Sequence, residues 1–368
     1  MHPFYRLYRL KWAGLLWSAV LLVTLAPGLP VANARPVPTI PAAHLIADVP
    51  WHVQINGLAC GDGALESVFN YYGPDIDQKA IADVARTSSI GTYTFDLVRA
   101  GHFSHLSSAQ GRFYPNAVPT GGFVERPVGY AAFSHNANAP WFAELKALLA
   151  ADIPVTLLMT YGADGTGGGH YRVAVGYDDS AGVMYFIDPW GRDMRYLPPP
   201  NPPGLIAWTY ADVASGWDYA AYGSALPYFG VAILPWNVDV RVTGKPQPGG
   251  TVKVTALVNY PCPQPFDCTA FPAENATATL ELPAGWPALD SPTVNLVSPG
   301  STMTAGTTQS ASWQVRLPAS PLAGAELVVR VQGTVSGSVP AAPWQGQGVV
   351  YPAYTYTDDI GGQGYFTF

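Results

Sequence analysis

Charge is scarce in this sequence. Of 368 residues, 12% are Asp, Glu, Lys or Arg, about half the ~25% of an ordinary soluble chain. The net charge is −7, and no Lys/Arg cluster stands in the folded part, so nothing suits a phosphate backbone and nucleic acid is not an expected partner. Long apolar runs are absent after residue 26, which excludes a second membrane-spanning segment. No glycine-rich phosphate loop is present either, because Gly121-Gly122 and Gly165 to Gly169 lack the lysine and the βαβ setting. Cysteine is rarer still, with three residues, an odd number. Turn formers, in contrast, abound: 38 Gly and 36 Pro make up a fifth of the chain against an ordinary ~12%. With 48% hydrophobic residues the chain is no disordered acidic tail. It reads as folded, turn-rich and β-rich, and long enough for two or three domains.

The N-terminus sets the expected compartment. Arg6, Arg9 and Lys11 precede an apolar run from Trp12 to Ala26, then Pro27, Gly28 and Pro30, then Ala32-Asn33-Ala34. A basic region, a short apolar region and an A-x-A site describe a secretory signal peptide over residues 1–34, cut after Ala34. The run is too short for an anchor and helix breakers follow it. The expected product is secreted or periplasmic, without a membrane span once the signal is removed. Export gives the cysteines meaning. Cys262 and Cys268 share one Pro-rich loop and are expected to pair in an oxidising compartment. Cys60 is left over, either buried and inert or kept for its chemistry.

Residues 35–50 read as a Pro/Ala-rich lead-in. Over 51–235 the pattern is mixed. Leu65, Val68, Phe69 and Tyr72 mark one helical face that Gly73-Pro74 ends; Ile81, Val84 and Ala85 mark a second helix from about Asp77; Trp141, Leu145, Leu148 and Leu149 mark a third. Strands are expected at Val155–Thr160, Tyr171–Tyr177, Val183–Asp188 and Tyr228–Leu234. Helices first and strands later imply an α+β fold with an antiparallel sheet. Over 236–368 the helical period disappears. Alternating segments at Val238–Val242, Val252–Val258, Ala276–Leu282, Ser312–Leu317 and Glu326–Gly333 imply an all-β immunoglobulin-like sandwich, structural or adhesive in role.

Cys60 stands where the first helix begins, and a thiolate there is favoured by the helix's unpaired N–H groups and positive end. Gly57, Gly61 and Gly63 beside it are expected to leave room for a substrate backbone. Gln54 can place a side-chain amide next to the Cys60 N–H, and two such donors make an oxyanion hole. His170 opens the strand Tyr171–Tyr177. A turn at Asp178 to Gly182 returns the chain to Asp188-Pro189. Folding that hairpin about residue 180 sets 170 opposite about 190 and 172 opposite 188, so His170 and Asp188 share one sheet end. A carboxylate there fixes the imidazole and leaves its other nitrogen for a thiol. Elsewhere, His102-Phe103-Ser104-His105 lacks the spacing of a zinc helix and reads as a surface loop. Asp178-Asp179 and Asp358-Asp359 read as acid pairs in turns or tails, short of a calcium loop. No metal or cofactor is expected. Trp51, Tyr161 and Trp190 are expected to line apolar pockets.

The order of these pieces resembles the bacteriocin-processing (double-glycine leader) cysteine peptidases of the papain-like clan, and more closely their stand-alone secreted relatives. Carrying the likeness are Val49 to Gln54, Cys60-Gly61 with Ala64-Leu65, Tyr71-Tyr72-Gly73, Trp141 to Val155, His170-Tyr171 to Tyr177, and Asp188-Pro189. They cover about residues 49–235. The resemblance implies a papain-like fold with Cys60 as nucleophile, His170 as general base and acid, Asp188 as orienter and Gln54 in the oxyanion hole. Ala59 departs from it where relatives often carry Asp or Asn. Asp62 departs where Pro or a small apolar residue is commoner, and its charge near the sulfur opposes thiolate formation. The expected activity is hydrolysis of peptide bonds through an acyl-enzyme, on a peptide or protein substrate, with a cell-surface component as candidate partner of the C-terminal part. The alternatives are a cell-wall amidase or acyl transferase of the same clan, and a non-catalytic adhesion or scaffold protein.

Overall fold

The computed structural model describes residues 40–107, 121–192, 194–219, 226–343 and 350–368. The expected signal peptide, 1–34, lies outside them. Among them no helix is long and apolar enough to cross a membrane.

The N-terminal half is built around a short helical face laid on a sheet. Strand β1 (Ala43–Leu45) comes from the lead-in and pairs with β4 (Gly169–Asp178), Ala43 opposite Asp178. Helix α1 (Cys60–Tyr72) buries Leu65, Val68 and Phe69, and stops where the Gly73 N–H bonds back to Phe69 O at 2.9 Å. Helix α2 (Gln78–Val84) starts as expected, with the Asp77 carboxylate accepting from Lys79 N. Helix α3 (Thr94–Gly101) follows, then β2 (Ala131–His135), α4 (Phe142–Leu149) and β3 (Val155–Thr160). After β4 come β5 (Val183–Ile187), β6 (Leu205–Thr209), α5 (Tyr210–Trp217) and β7 (Gly230–Leu234). The sheet runs β2-β7-β3-β4-β5-β6 with β1 beside β4, and every pairing is antiparallel. Strands β3 and β7 are buried along their whole length, as a sheet covered on both faces requires.

The C-terminal half holds two larger antiparallel sheets. Strands β8 (Asn237–Thr243), β9 (Thr251–Asn259), β10 (Ala273–Glu281), β11 (Thr293–Asn295), β12 (Thr302–Met303), β13 (Thr308–Arg316) and β14 (Glu326–Val339) lead to the short β15 (Ala342–Pro343) and β16 (Val350–Tyr351), and to β17 (Tyr354–Thr367). One sheet runs β11-β10-β14-β17 with β12 beside β10; the other runs β13-β9-β8. Burial alternates along β9 and β13, so each buries one face. Cys262 and Cys268 are joined, their Cα atoms 5.5 Å apart.

Strand β17 was not expected, and its composition explains why. The strand carries Gly361, Gly362 and Gly364, and a Cβ at these positions would run into the carbonyls of Val331, Trp236 and Val238. The glycines let three backbones approach each other. The reading of Asp358-Asp359 as a turn or tail is corrected for the same reason, since both lie within β17 and are 0% and 2% exposed. Asp358 accepts from the Ser107 hydroxyl at 2.7 Å and faces Arg99 Nη2 at 3.6 Å. The surface-loop reading of His102 is also corrected. It caps α3, is wholly buried, and packs on Phe271 (ring centroids 4.5 Å apart) and Tyr356. Burial pulls its pKa down to about 3, so it is a neutral core imidazole. Residues 40–368 thus form one unit whose halves meet along this seam.

Candidate active site

Cys60 is the first residue of α1 and is 8% exposed. Its helix begins at Ala59, which offers no side-chain cap. The departure of Ala59 from the family pattern therefore leaves the positive end of the helix without a competing side-chain acceptor. His170 enters from β4, 3% exposed, and Asp188 follows directly after β5, wholly buried. Val173 pairs with Ile187, which carries residue 172 opposite 188 as the hairpin count requires. His170 Nε2 lies 3.0 Å from Asp188 Oδ1, and the Cys60 thiol is the imidazole's other side-chain hydrogen-bond partner. With Nε2 committed to the carboxylate, Nδ1 is the nitrogen left for sulfur. The structure therefore brings Cys60, His170 and Asp188 together.

Electrostatics follow from these contacts. Burial pulls the His170 pKa down, but hydrogen bonds to Asp188 and Cys60 outweigh it, and the net shift is upward. Burial likewise opposes ionisation of Asp188; His170, Arg172 and the Trp190 N–H overcome it and hold the carboxyl at about 2. Such opposed shifts in one cluster suit a base and its orienting acid. The segment carrying Asp188 is pinned from behind: Trp51 Nε1 donates to Asp188 O (2.8 Å), Gln54 N to Pro189 O (2.8 Å) and the Tyr196 hydroxyl to Asp188 O (3.2 Å).

Gln54 is buried beside the first turn of α1, its Cα 3.5 Å from where a Cβ on Gly63 would stand. Its Nε2 donates to Asn56 O at 2.6 Å, and its Oε1 is buried without a hydrogen-bond partner. Asp62 accepts from the Thr87 hydroxyl at 2.8 Å. The expected purpose of two glycines is corrected. A Cβ on Gly61 would meet Thr92 Oγ1 at 3.0 Å and one on Gly63 would meet Pro189 Cβ at 3.0 Å, so these glycines seat α1 against protein. Gly57, with open space around it, does line the cleft.

That cleft has a volume of ≈ 180 Å³ and is walled by Leu58, Cys60, Thr92, Tyr93, Leu158 and Tyr219, with Gly168 and Gly169 at its edge. The expected aromatic pocket lies elsewhere. Tyr161 and Trp190 stand edge-on to His170 at 5.8 and 6.1 Å, and Trp51 packs on Tyr196 behind Asp188. Tyr161 and Trp190 cover the imidazole, and none of the three expected rings lines the cleft. Among the described residues, one group could converge on a cation: His52, Glu66 and Asp75, with donor atoms within 4.8 Å of one another. They already satisfy each other and their neighbours. His52 Nε2 lies 3.1 Å from Asn70 Oδ1, Nδ1 lies 3.4 Å from Glu66 Oε1, and the Gln78 amide bonds Glu66.

Arg172 escaped the sequence reading. It lies on the same face of β4 as His170, wholly buried, with Nε 2.6 Å from Asp188 Oδ2. The available signal was a charge amid the apolar run Tyr171, Val173, Val175, at the position paired with Asp188.

A thiol at a helix start beside a carboxylate-held imidazole defines a cysteine hydrolase site. The model of the Peptidase_C39 like family matches residues 46–199. Over that segment the chain is similar to this family, and the match supports a cysteine-type peptidase. Among solved structures the chain is similar to the peptidase domain of Streptococcus ComA, a bifunctional ABC transporter involved in quorum sensing. The identity is 16%, covering 49% of this chain and 93% of that one, with a TM-score of 0.30. It is similar also to xylellain, a cysteine protease from Xylella fastidiosa. There the identity is 15%, covering 53% and 86%, with a TM-score of 0.36. No curated protein matches the sequence.

Proposed function

We propose that this protein is a secreted cysteine peptidase that cleaves peptide bonds through Cys60, His170 and Asp188. The observation that carries the reading is His170 held between two partners, Asp188 at 3.0 Å and the Cys60 thiol. Cys60 sulfur attacks the scissile carbonyl while its proton passes to His170 Nδ1. The imidazolium then protonates the leaving amine, and water activated by the same nitrogen releases the acyl group. The Cys60 N–H and the Gln54 amide, once turned from Asn56 O, receive the oxyanion. Asp188 keeps its proton off and holds the tautomer. The signal-like segment 1–34 supports export, and the two C-terminal sheets, three and five strands, support an immunoglobulin-like sandwich.

The test is hydrolysis of a peptide library by the purified full chain and its Cys60→Ala variant, with mass spectrometry of the acyl-enzyme. The parent cleaves internal peptide bonds and carries the acyl group on Cys60; the variant does neither, losing about 10³-fold or more. A variant as active as the parent would refute the assignment.

A further inference from the structure

Arg172 is an expensive residue to have in this place. A wholly buried guanidinium loses its hydration, and an apolar side chain could fill the same space without that cost. Its neighbours in β4, Val173 and Val175, do so on the strand's other face. What the guanidinium does in return is specific. Nε donates to Asp188 Oδ2 at 2.6 Å, Nη1 to Thr160 O at 2.8 Å and Nη2 to Tyr161 O at 2.6 Å. Its plane lies over the Trp208 ring, 4.3 Å from the centroid. The carboxylate's other oxygen, Oδ1, takes His170 Nε2 and the Trp190 N–H, at 3.0 and 2.8 Å. Both oxygens are therefore assigned, and the one not serving the imidazole is tied through Arg172 to the end of β3 and to β6.

We propose that Arg172 is a positioning residue of the hydrolytic reaction, fixing the plane and the charge of the Asp188 carboxylate and, through it, the tautomer and aim of His170. The inference rests on the peptidase reading of the site. A carboxylate held by His170 and Trp190 alone can rotate about its Cβ–Cγ bond, and each rotation swings the acceptor away from Nε2. Arg172 stops that rotation with a donor on the opposite oxygen. The three acceptors are met by three separate nitrogens, Nε, Nη1 and Nη2, held in one rigid plane, a spread that the single nitrogen of a lysine ammonium does not have. The titratable and charged groups facing Asp188 are His170 and Arg172 from β4, Cys60 from α1 through the imidazole, and the phenols of Tyr161 and Tyr196. Of these, Arg172 is the permanent cation. Without it, burial is countered only by a histidine that loses its charge as pH rises and by one N–H group.

The experiment is steady-state hydrolysis from pH 3 to 8 for the parent, Arg172→Met and Arg172→Lys, each checked for folding by circular dichroism, with Cys60→Ala as reference. For Arg172→Met, kcat falls about 10²-fold, the loss that a small misplacement of a catalytic group causes. KM changes little, because Arg172 does not line the cleft. The acid limb of the profile moves up by about one pH unit or more as the carboxyl loses its cation. Arg172→Lys keeps the acid limb near that of the parent but not the parent's kcat. A folded Arg172→Met with the parent's kcat and acid limb overturns the proposal. If Arg172→Met does not fold, a folded Arg172→Lys with the parent's kcat overturns it instead. Activity in Cys60→Ala would sink the peptidase reading itself; an inactive Cys60→Ala beside a fully active Arg172→Met sinks this inference alone.

Discussion

Two buried aspartate–arginine pairs sit in different regions of the molecule and behave in opposite ways. Asp188 with Arg172 lies in the proposed active site; Asp96 with Arg86 lies at the seam with the C-terminal strands. All four residues are at most 1% exposed. Arg86 bonds both Asp96 oxygens, at 2.8 and 3.0 Å, and also reaches the carbonyls of Pro340 and Pro352. Even so, burial outweighs the Arg86 pair and raises the Asp96 carboxyl to about 6, while Asp188 is held at about 2. The difference lies in the donors. Asp188 collects three from His170, Arg172 and a backbone N–H, whereas Asp96 shares one guanidinium with two carbonyls. Equal burial thus gives a permanently charged orienter in one place and a carboxyl that titrates near neutrality in the other. In the proposed mechanism the first pair serves chemistry, and the second serves the joint between the halves.

This contrast can be broken by substitution. The largest expected effect is on the catalytic side, where His170→Ala, checked for folding by circular dichroism, lowers hydrolysis by about 10³-fold or more. At the seam the loss is in stability. Arg86→Met removes the partner of buried Asp96 and the donor to the Pro340 and Pro352 carbonyls, and should cost about 3–5 kcal/mol in urea unfolding. Activity per folded molecule should remain. A seam variant that stays stable but loses turnover would reverse the two roles.

The two pairs also predict opposite responses to pH. Asp188, depressed to about 2, contributes stability that is present above the unfolded value of ~3.9 and lost as pH falls toward 2. Asp96, raised to about 6, contributes stability that is present below ~3.9 and lost as pH rises through 6. His170, also raised, contributes in the same sense as Asp96, its stabilisation fading as pH climbs above the unfolded value of ~6.5. The chain should therefore melt higher near pH 5 than at pH 7.5, by a few degrees at about 2–4 °C per kcal/mol. Asp96→Asn should shrink that difference; a melting temperature that rises steadily from pH 5 to 7.5 would contradict the seam assignment. Least visible in turnover is the disulfide. Replacing Cys262 and Cys268 together by Ser opens a short loop, with an expected cost of about 2 kcal/mol and no change in turnover.

The site was more legible than its setting. Cys60, His170 and Asp188 could be read because a hairpin count and a helix start are local features with fixed geometry. The same count put residue 172 opposite 188, but Arg172 was hidden inside a strand whose alternation reads as apolar. Strand β17 and the burial of Asp358, Asp359 and His102 could not be read at all. They depend on contacts between segments some 250 residues apart, as with Ser107 and Asp358, separated by 251. Helix α3 escaped for a related reason, since its short run carries Arg99, a charge whose partner Asp358 lies in β17, and Asp96, whose partner Arg86 also reaches the C-terminal strands. Two glycines misled: Gly61 and Gly63 suggested room for substrate and proved to seat α1.

The central claim is that His170 activates Cys60 as one unit oriented by Asp188. Intact-mass and peptide-mapping analysis of the full chain treated with a peptidyl thiol-reactive electrophile tests it most directly, with His170→Ala alongside. The account predicts one adduct per chain, on Cys60, formed rapidly in the parent and hardly at all in a folded His170→Ala. Equal labelling of the two proteins, or an adduct on a residue other than Cys60, would contradict it.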